Sequence, residues 1–291
     1  MGRHAYLIMA HHKFEILAEI LKDIDNPRND IVLHIDKKAT GIDITSLLMC
    51  VKNARLILLE RMDVHWGGAS QIQCILNLLE CASNLDVHDY YHFMVGVEFP
   101  LKSQSYIHIF FDQNRGKEFI GYDNRHVEYL ERIKYIHFFN EYGRPHNFVE
   151  QKLNSIRKRL LFIQKLFKIV HIPATLSVYK KGDANWSITH DLVLYILSLR
   201  KSIEETYKYS FCGDELFIHT IVYNSSFWDA VYNKEDEYAS CMRLHQWRDG
   251  CNNQYHICDV DYLLASDRLF ARKIDGEDAL EVINAIRNGR Y

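Results

Sequence analysis

Two adjacent acids, Asp214 and Glu215, stand at the head of an otherwise apolar run in "SFCGDELFIHTIVYNS", Ser210 to Ser225. With Gly213 before them, Asp214 is expected to cap a helix and Glu215 to sit in its first turn. Leu216, Phe217, Thr220 and Ile221 then face inward. Acids at such a place either complement the helix dipole or supply a general base. A base must be ionised, and a helix N-terminus favours the ionised carboxylate. The stretch alone leaves both roles open.

Cations gather in the last third of the chain: Arg243 and Arg248 in "MRLHQWRDG", and Arg272 and Lys273 in "LFARKID". Such side chains can neutralise a diphosphate. "HWGGAS" puts a small-residue turn, Trp66-Gly67-Gly68, before a helix whose N–H groups could approach a ligand. Metal signals are poor. The chain has 16 His but no HxH, HExxH or close His/Cys set, and Asp-x-Asp occurs at Asp23–Asp25 and Asp259–Asp261 at a spacing that recurs by chance. There is no Walker loop, GxGxxG or GxSxG, so ATPase, dehydrogenase and serine hydrolase readings lose their main support.

The elements that must position these residues follow from periodicity. "HAYLIMAHH", "IVLHIDKK", "ARLILLE" and "DYYHFMVGVEFPL" are expected as strands, the last breaking at Pro100. "KFEILAEILKDI" and "GGASQIQCILNLLECAS" are expected as the helices between them. Alternation of this kind predicts a parallel α/β sheet, with ligands at the carboxyl ends of its strands. Those ends carry His11-His12, Asp36-Lys37-Lys38, Trp66-Gly67-Gly68 and Glu98. Further on, "EFIGYD", "IKYIHFF" and "SCMRLHQW" are expected as strands and "ANWSITHDLVLYILSLR" as a helix. "DVDYLLASDRLFARKID" is expected as a terminal helix and loop. No linker or repeat divides residues 1–291, which predicts a single domain.

Hydrophobic residues make up 48% and charged ones 25% of the 291 residues, an ordinary soluble balance, and four Pro with no low-complexity tract argue against disorder. A formal net charge of −3 lacks the footprint of a nucleic-acid-binding protein. Seven Cys, odd in number and never spaced CxxC, point to free thiols in a reducing compartment. The apolar stretch Ala5 to Ala10 is too short for a signal sequence, and no run approaches a membrane span. The expected location is cytoplasmic.

Taken in order, these segments resemble the Core-2/I-branching enzymes, glycosyltransferase family 14, which also includes peptide O-xylosyltransferases. "AYLIMAHHKFEILAEIL" with "VLHIDKKA" resembles the family's opening strand, helix and His-x-Asp-Lys-Lys strand end. "VHWGGASQIQCILNLL" resembles its Trp-Gly-Gly-x-Ser helix start. "YYHFMVGVEFPLKS" resembles Ser-Gly-x-Asp-x-Pro-Leu, with Val95 and Glu98 as departures. "KGDANWSITHDLVLYIL" is similar to the Gly-Ser-x-Trp segment, with Asp183 and Ala184 altering its start. "GDELFIHTIVYNSSF" resembles the Asp-Glu block, and "LFARKID" the terminal Phe-Ala-Arg-Lys-Phe-Asp. Residues 120–175 have no counterpart. The whole is similar to a bacterial-type member that builds a surface or capsular polysaccharide.

The resemblance implies a GT-A-like, Rossmann-type mixed sheet flanked by helices, with a nucleotide-binding half (1–120) and an acceptor and catalytic half (120–291). It implies inverting transfer from a UDP-sugar to a glycan or lipid-linked glycan, with no required metal or other cofactor. Glu215 takes the role of catalytic base. His11, His12, Asp36, Trp66 and Gly67 line the nucleotide pocket. Lys273, Arg248 and Arg272 neutralise the diphosphate, and Asn185, Trp186, Trp247, Asp214 and Glu98 fall at the acceptor and donor-sugar sites. GlcNAc, xylose and glucuronic acid are all donors in the family.

Residues 150–170 form a basic amphipathic stretch. It is either a solvated helix whose apolar stripe packs on the core, or a peripheral membrane contact. Two alternatives to the leading function stand beside it. One is a catalytically weak or inactive glycan-binding module on the same scaffold. The other is a metal-dependent transferase using Glu98 or Asp123 as a ligand.

Overall fold

The structure, a computed structural model, describes residues 2–123, 130–171, 178–248 and 251–290, without the side chains of 247, 248, 251 and 252. Along the first half run β1 (His4–Ala10), α1 (Phe14–Asp23), β2 (Asn29–Ile35), α2 (Ile44–Leu48), β3 (Arg55–Leu58), α3 (Ala69–Leu85), β4 (Tyr90–Val95), β5 (Phe99–Pro100) and α4 (Gln104–Gln113). The second half begins with α5 (Glu131–Lys134), α6 (Phe148–Leu166), β6 (Trp186–Thr189), α7 (His190–Ser198), α8 (Arg200–Tyr207) and α9 (Phe217–Tyr223). It ends with α10 (Glu237–Cys241), β7 (Arg243–His245), β8 (Trp247–Arg248), β9 (Cys251–Asn252), α11 (Val260–Ala265), β10 (Phe270–Arg272) and α12 (Ala279–Gly289).

The main sheet has the order β3-β2-β1-β4-β6, parallel except for β6, which runs antiparallel to β4. The expected α/β class, a mixed sheet flanked by helices, is what the chain forms. Alternate side chains of a strand face opposite sides, and β1 shows the consequence. Tyr6, Ile8 and Ala10 join a core with α1, α4 and α12, while Ala5 and Leu7 join one with α3, α7 and α9. Being buried on both faces, the strand reads as an unbroken apolar run. The helix α1 covers it with Ile16, Leu17, Ile20 and Leu21, each worth roughly 1.5–3 kcal/mol on burial.

Several expected elements differ. The run Asp89–Leu101 breaks at Gly96, not Pro100, because the chain there passes close to β1: a Cβ on Gly96 would lie 3.0 Å from Ala10 Cβ. Beyond the break, β5 joins a second sheet of order β5-β10-β7. "LFARKID" therefore contains a strand, not a loop, and α12 follows it. Trp186–Thr189, expected as helix, is instead the edge strand beside β4. The helix starts only at His190, where Thr189 Oγ1 accepts from Leu192 N at 3.4 Å. "IKYIHFF" is not a strand: the Gln164 side chain takes up both backbone groups of Ile136, at 3.0 and 2.9 Å. "EFIGYD" makes only isolated bridges, from Glu118 to Val231 and from Phe119 to Ser187.

Arg243, fully buried, clamps the two sheets together. Nε donates to Glu98 Oε1 (3.1 Å), Nη1 to Ser187 Oγ (2.8 Å) and the Cys241 carbonyl (2.5 Å), and Nη2 to the carbonyls of Trp186 (3.0 Å) and Phe93 (3.4 Å). Glu98, expected at the sugar site, is thus a fully buried partner of this cation. Burial pushes its carboxyl up to about 7 against the pull of Arg243 and Arg272. Removing one member of such a pair strands the other, whereas removing both is far milder. At pH 8, Arg243→Met or Glu98→Met should each cost about 3–5 kcal/mol in urea unfolding, and the double replacement less than either. A single replacement costing under about 1 kcal/mol, or a double one costing the sum, would contradict this role.

Candidate active site

The Asp214–Glu215 segment does not start a helix in the expected way. Cys212 takes a left-handed conformation (φ 49°, ψ 49°), Gly213–Glu215 form a 3₁₀ turn, and α9 begins after Leu216. Asp214 is therefore not a side-chain cap. It points inward, nearly buried, with Oδ2 accepting from Gln71 Nε2 at 3.3 Å and Oδ1 finding no partner among the described residues. Burial, and then the neighbouring Glu215 charge, push its carboxyl up to about 7. Glu215 faces outward, with its side chain 33% exposed. Its Oε2 accepts from Arg132 Nη1 at 2.6 Å and lies 3.7 Å from Lys181 Nζ.

The Trp66-Gly67-Gly68 turn is brought against this segment. Gly67 N donates to Gln71 Oε1 at 2.5 Å, and Cys212 N donates to the Gly67 carbonyl at 2.9 Å. Gln71 thus joins the turn to Asp214. Gly67 has φ +78°, and a Cβ there would lie 2.8 Å from the Phe211 ring, so both conformation and space call for glycine. Trp66 is partly exposed, with the Arg144 guanidinium 3.8 Å over its ring and its edge against Phe211. The N-terminus of α3 is already occupied: Glu141 accepts from Ser70 N at 3.0 Å and Ser70 Oγ at 2.5 Å.

His11, His12, Asp36 and Lys273 form a second group, at the carboxyl ends of β1 and β2. The two imidazoles lie 4.2 Å apart between centroids. Burial and then His12 push His11 down to about 4, with Lys38 and Lys273 adding to the effect and Asp36 opposing it. Burial also lowers His12, again with Lys273 close enough to contribute. Asp36 accepts from Lys38 N (2.8 Å), Lys38 Nζ (3.1 Å) and Val64 N (3.3 Å). Residues 62–68 therefore bridge the two groups, held by Asp36 at one end and by Gln71 and Cys212 at the other.

Other expected residues lie elsewhere. Trp186 is fully buried and stacked on Phe93, a core residue without an exposed face. Asn185 is fully buried; its N–H donates to Asp183 Oδ1 at 2.7 Å, and its amide atoms have no partner among the described residues. The charge of Arg272 acts on Glu98, Asp183 and His245, the buried cluster around Arg243. Trp247 and Arg248 belong to a short hairpin, and their side chains lie outside the described residues. Asp123 is held by Lys181 at 3.3 Å. Among the described residues no three His, Cys, Asp or Glu side chains are grouped to hold a metal ion.

Arg132, Lys181 and Gln71 were not singled out from the sequence. Gln71 had a signal, since it stands four residues after Gly67, one turn into the helix that the glycines introduce. Arg132 lies in the stretch without a family counterpart and could be found only in three dimensions.

A profile described as "Core-2/I-Branching enzyme" matches residues 4–265. An N-acetyllactosaminide β-1,6-N-acetylglucosaminyl-transferase of Mus musculus is 25% identical over 291 residues, spanning 93% of this chain and 68% of that protein. The Homo sapiens protein of the same name is also 25% identical, over 290 residues with the same coverage. A xylosyltransferase of Caenorhabditis briggsae is 24% identical over 93% of this chain but only 32% of its own length. The crystal structure of mouse xyloside xylosyltransferase 1 superposes loosely, with a TM-score of 0.39, 11% identity, and coverage of 92% of this chain and 96% of that one.

The Asp214 carboxyl gives a pH signature. Its folded-state value lies above the unfolded one, so between about pH 4 and 7 the folded chain keeps a proton that the unfolded chain has lost. Stability must fall as pH rises through that window and level off above it. Asp214→Asn, which keeps an acceptor for Gln71, should be the more stable protein at pH 8, by on the order of 1–3 kcal/mol, and should converge with wild type near pH 4. Parallel stability profiles for the two proteins would contradict the assignment.

Proposed function

The chain belongs to the Core-2/I-branching enzyme family, a family of glycosyltransferases, and on that footing we propose that it is an inverting, metal-independent β-glycosyltransferase with a GT-A-like fold. The donor is a UDP-sugar, with UDP-GlcNAc or UDP-xylose favoured by the names of the relatives. The acceptor is a hydroxyl of a glycan. One observation carries the reading: a partly exposed carboxylate, Glu215, is fixed by Arg132 beside the Trp66–Gly67 turn, and that turn is tied through residues 62–68 to Asp36 at the strand ends.

In the reaction, Glu215 accepts the acceptor hydroxyl proton as that oxygen bonds to the anomeric carbon. The bond from that carbon to the diphosphate breaks, its electron pair leaves with UDP, and an α-linked donor becomes a β-glycoside. Lys273, with Arg248 of the hairpin, balances the charge growing on the leaving diphosphate. His11, held largely neutral at physiological pH, and His12 and Asp36 contact the nucleoside. Asp214, kept protonated by burial up to about neutral pH, limits the negative charge beside the base.

Screening UDP-sugars for transfer and hydrolysis tests the class; turnover of none, with binding intact, would favour a binding module. Glu215→Gln should leave UDP binding unchanged and lower turnover by roughly 10²–10⁴-fold; near-normal turnover would remove Glu215 as the base. Activity should also persist in excess EDTA. A strict Mn²⁺ requirement would overturn the metal-independent step.

A further inference from the structure

The helix α6 packs against the protein through three buried polar side chains, with Leu153, Leu160 and Leu161 half-buried beside them, and leaves several large apolar side chains exposed. The residues it buries are Asn154, Arg157 and Gln164. Arg157 bonds Asn154 Oδ1 at 3.0 and 2.8 Å and lies over the Phe211 ring at 4.6 Å. Gln164 holds the backbone of Ile136. At about 100° per residue, the opposite side carries Phe148, Phe162 and Leu166, flanked by Val149 and Phe167. Each of these five is 63–69% exposed, and Ile169 and Val170 continue the exposed run. A surface helix ordinarily buries its apolar stripe. Here exposed apolar side chains stand at both ends of the outward face, with Lys152, Ser155 and Arg159 between them, and large apolar side chains left outside in such number mark a place where something docks.

Charge identifies the occupant. Lys152, Lys158, Arg159 and Lys168 are exposed on or beside this face. The acid of the helix, Glu150, is held at its N-terminus by His146 N and Asn147 Nδ2, at 2.7 and 2.8 Å. The whole chain has a net charge of −3, so the positive charge here is a local concentration. A second copy docked through the same face about a two-fold axis would set these cations against their own images. Aromatic and aliphatic side chains among exposed Lys and Arg fit an anionic lipid interface, where the rings enter the headgroup boundary and the cations meet phosphate. No helix of the described residues is long and apolar enough to cross a membrane, so the contact lies in the plane of the interface.

We infer that α6 and residues 167–170 dock the protein on an anionic lipid surface. The helix is anchored on Phe211, next in sequence to the turn that carries Asp214 and Glu215. The lipid-facing side of α6 and that segment therefore lie on opposite sides of one helix and its Phe211 contact, an arrangement suited to an acceptor held at the membrane. The docking itself needs no sugar chemistry and does not depend on the proposed reaction.

Sedimentation of the full chain with phosphatidylcholine vesicles, with and without phosphatidylglycerol, tests it. Binding is expected only with phosphatidylglycerol present, and weaker at high salt. Phe162→Ser/Phe167→Ser and Lys152→Glu/Arg159→Glu/Lys168→Glu should each lower partitioning by at least about tenfold, with unchanged thermal unfolding because these side chains are exposed. Wild-type protein left in the supernatant with anionic vesicles, or variants that sediment like wild type, would overturn the inference. So would a dimer in sedimentation equilibrium that the Phe pair abolishes while lipid binding is absent.

Discussion

The guanidinium of Arg243 is buried, bonded at each of its nitrogens and shared between two sheets, and the geometry of the candidate site depends on it. A charge taken out of water is tolerated only where its donors are met. Here they are met by groups from β4, β6 and the turn before β5, so β7 can dock in one register only. Through parallel pairing β7 carries β10, and the residue after β10 is Lys273. The Lys273 carbonyl is held by Tyr255 N at 2.9 Å, and Ile274 N bonds the Val97 carbonyl at 3.0 Å. A lysine reaches its target on a flexible stem, so its placement rests on this backbone frame.

The same economy of contacts links the Asp214–Glu215 segment to the group of His11, His12 and Asp36. Residues 62–68 have little regular structure, yet side chains bond them at both ends: Asp36 takes Val64 N, and Gln71 takes Gly67 N. Phe211 then serves three neighbours at once. It fills the space that a Cβ on Gly67 would need, stacks near His137 at 5.7 Å and lies under Arg157 of α6. A displacement of α6 would be felt at Phe211, and so at the turn that presents Glu215.

Much of the first half was legible because each of its signals is local. A strand buried on both faces is a continuous apolar run, and an amphipathic helix repeats every three to four residues, so β1 to β4, α1 and α3 fall where periodicity puts them. Trp186–Thr189 failed because four residues beside a long helical pattern carry no separate signal; their pairing with β4, distant in sequence, decided the outcome. Ile136 failed for a related reason, since its backbone is satisfied by a side chain 28 residues away. In the site, the Trp66–Gly67 turn does meet the acidic pair, and His11, His12, Asp36 and Lys273 do share a neighbourhood. Glu98, Trp186 and Arg272 instead serve the buried frame, and Arg132 and Lys181 emerged only from the fold.

The order of the chemistry-bearing residues, the small-residue turn at Gly67-Gly68 and the α/β class belong to the sequence alone, because each follows from residue type and short-range spacing. Burial does not. Whether Asp214 points out as a cap or inward as a carboxyl protonated up to about neutral pH depends on Gln71 and on the layers around it. Whether the stripe of α6 meets the core or the solvent depends on which face finds Phe211 and Ile136. An amphipathic pattern shows that a helix has two faces, and only the packing of distant segments against one of them decides which is inside.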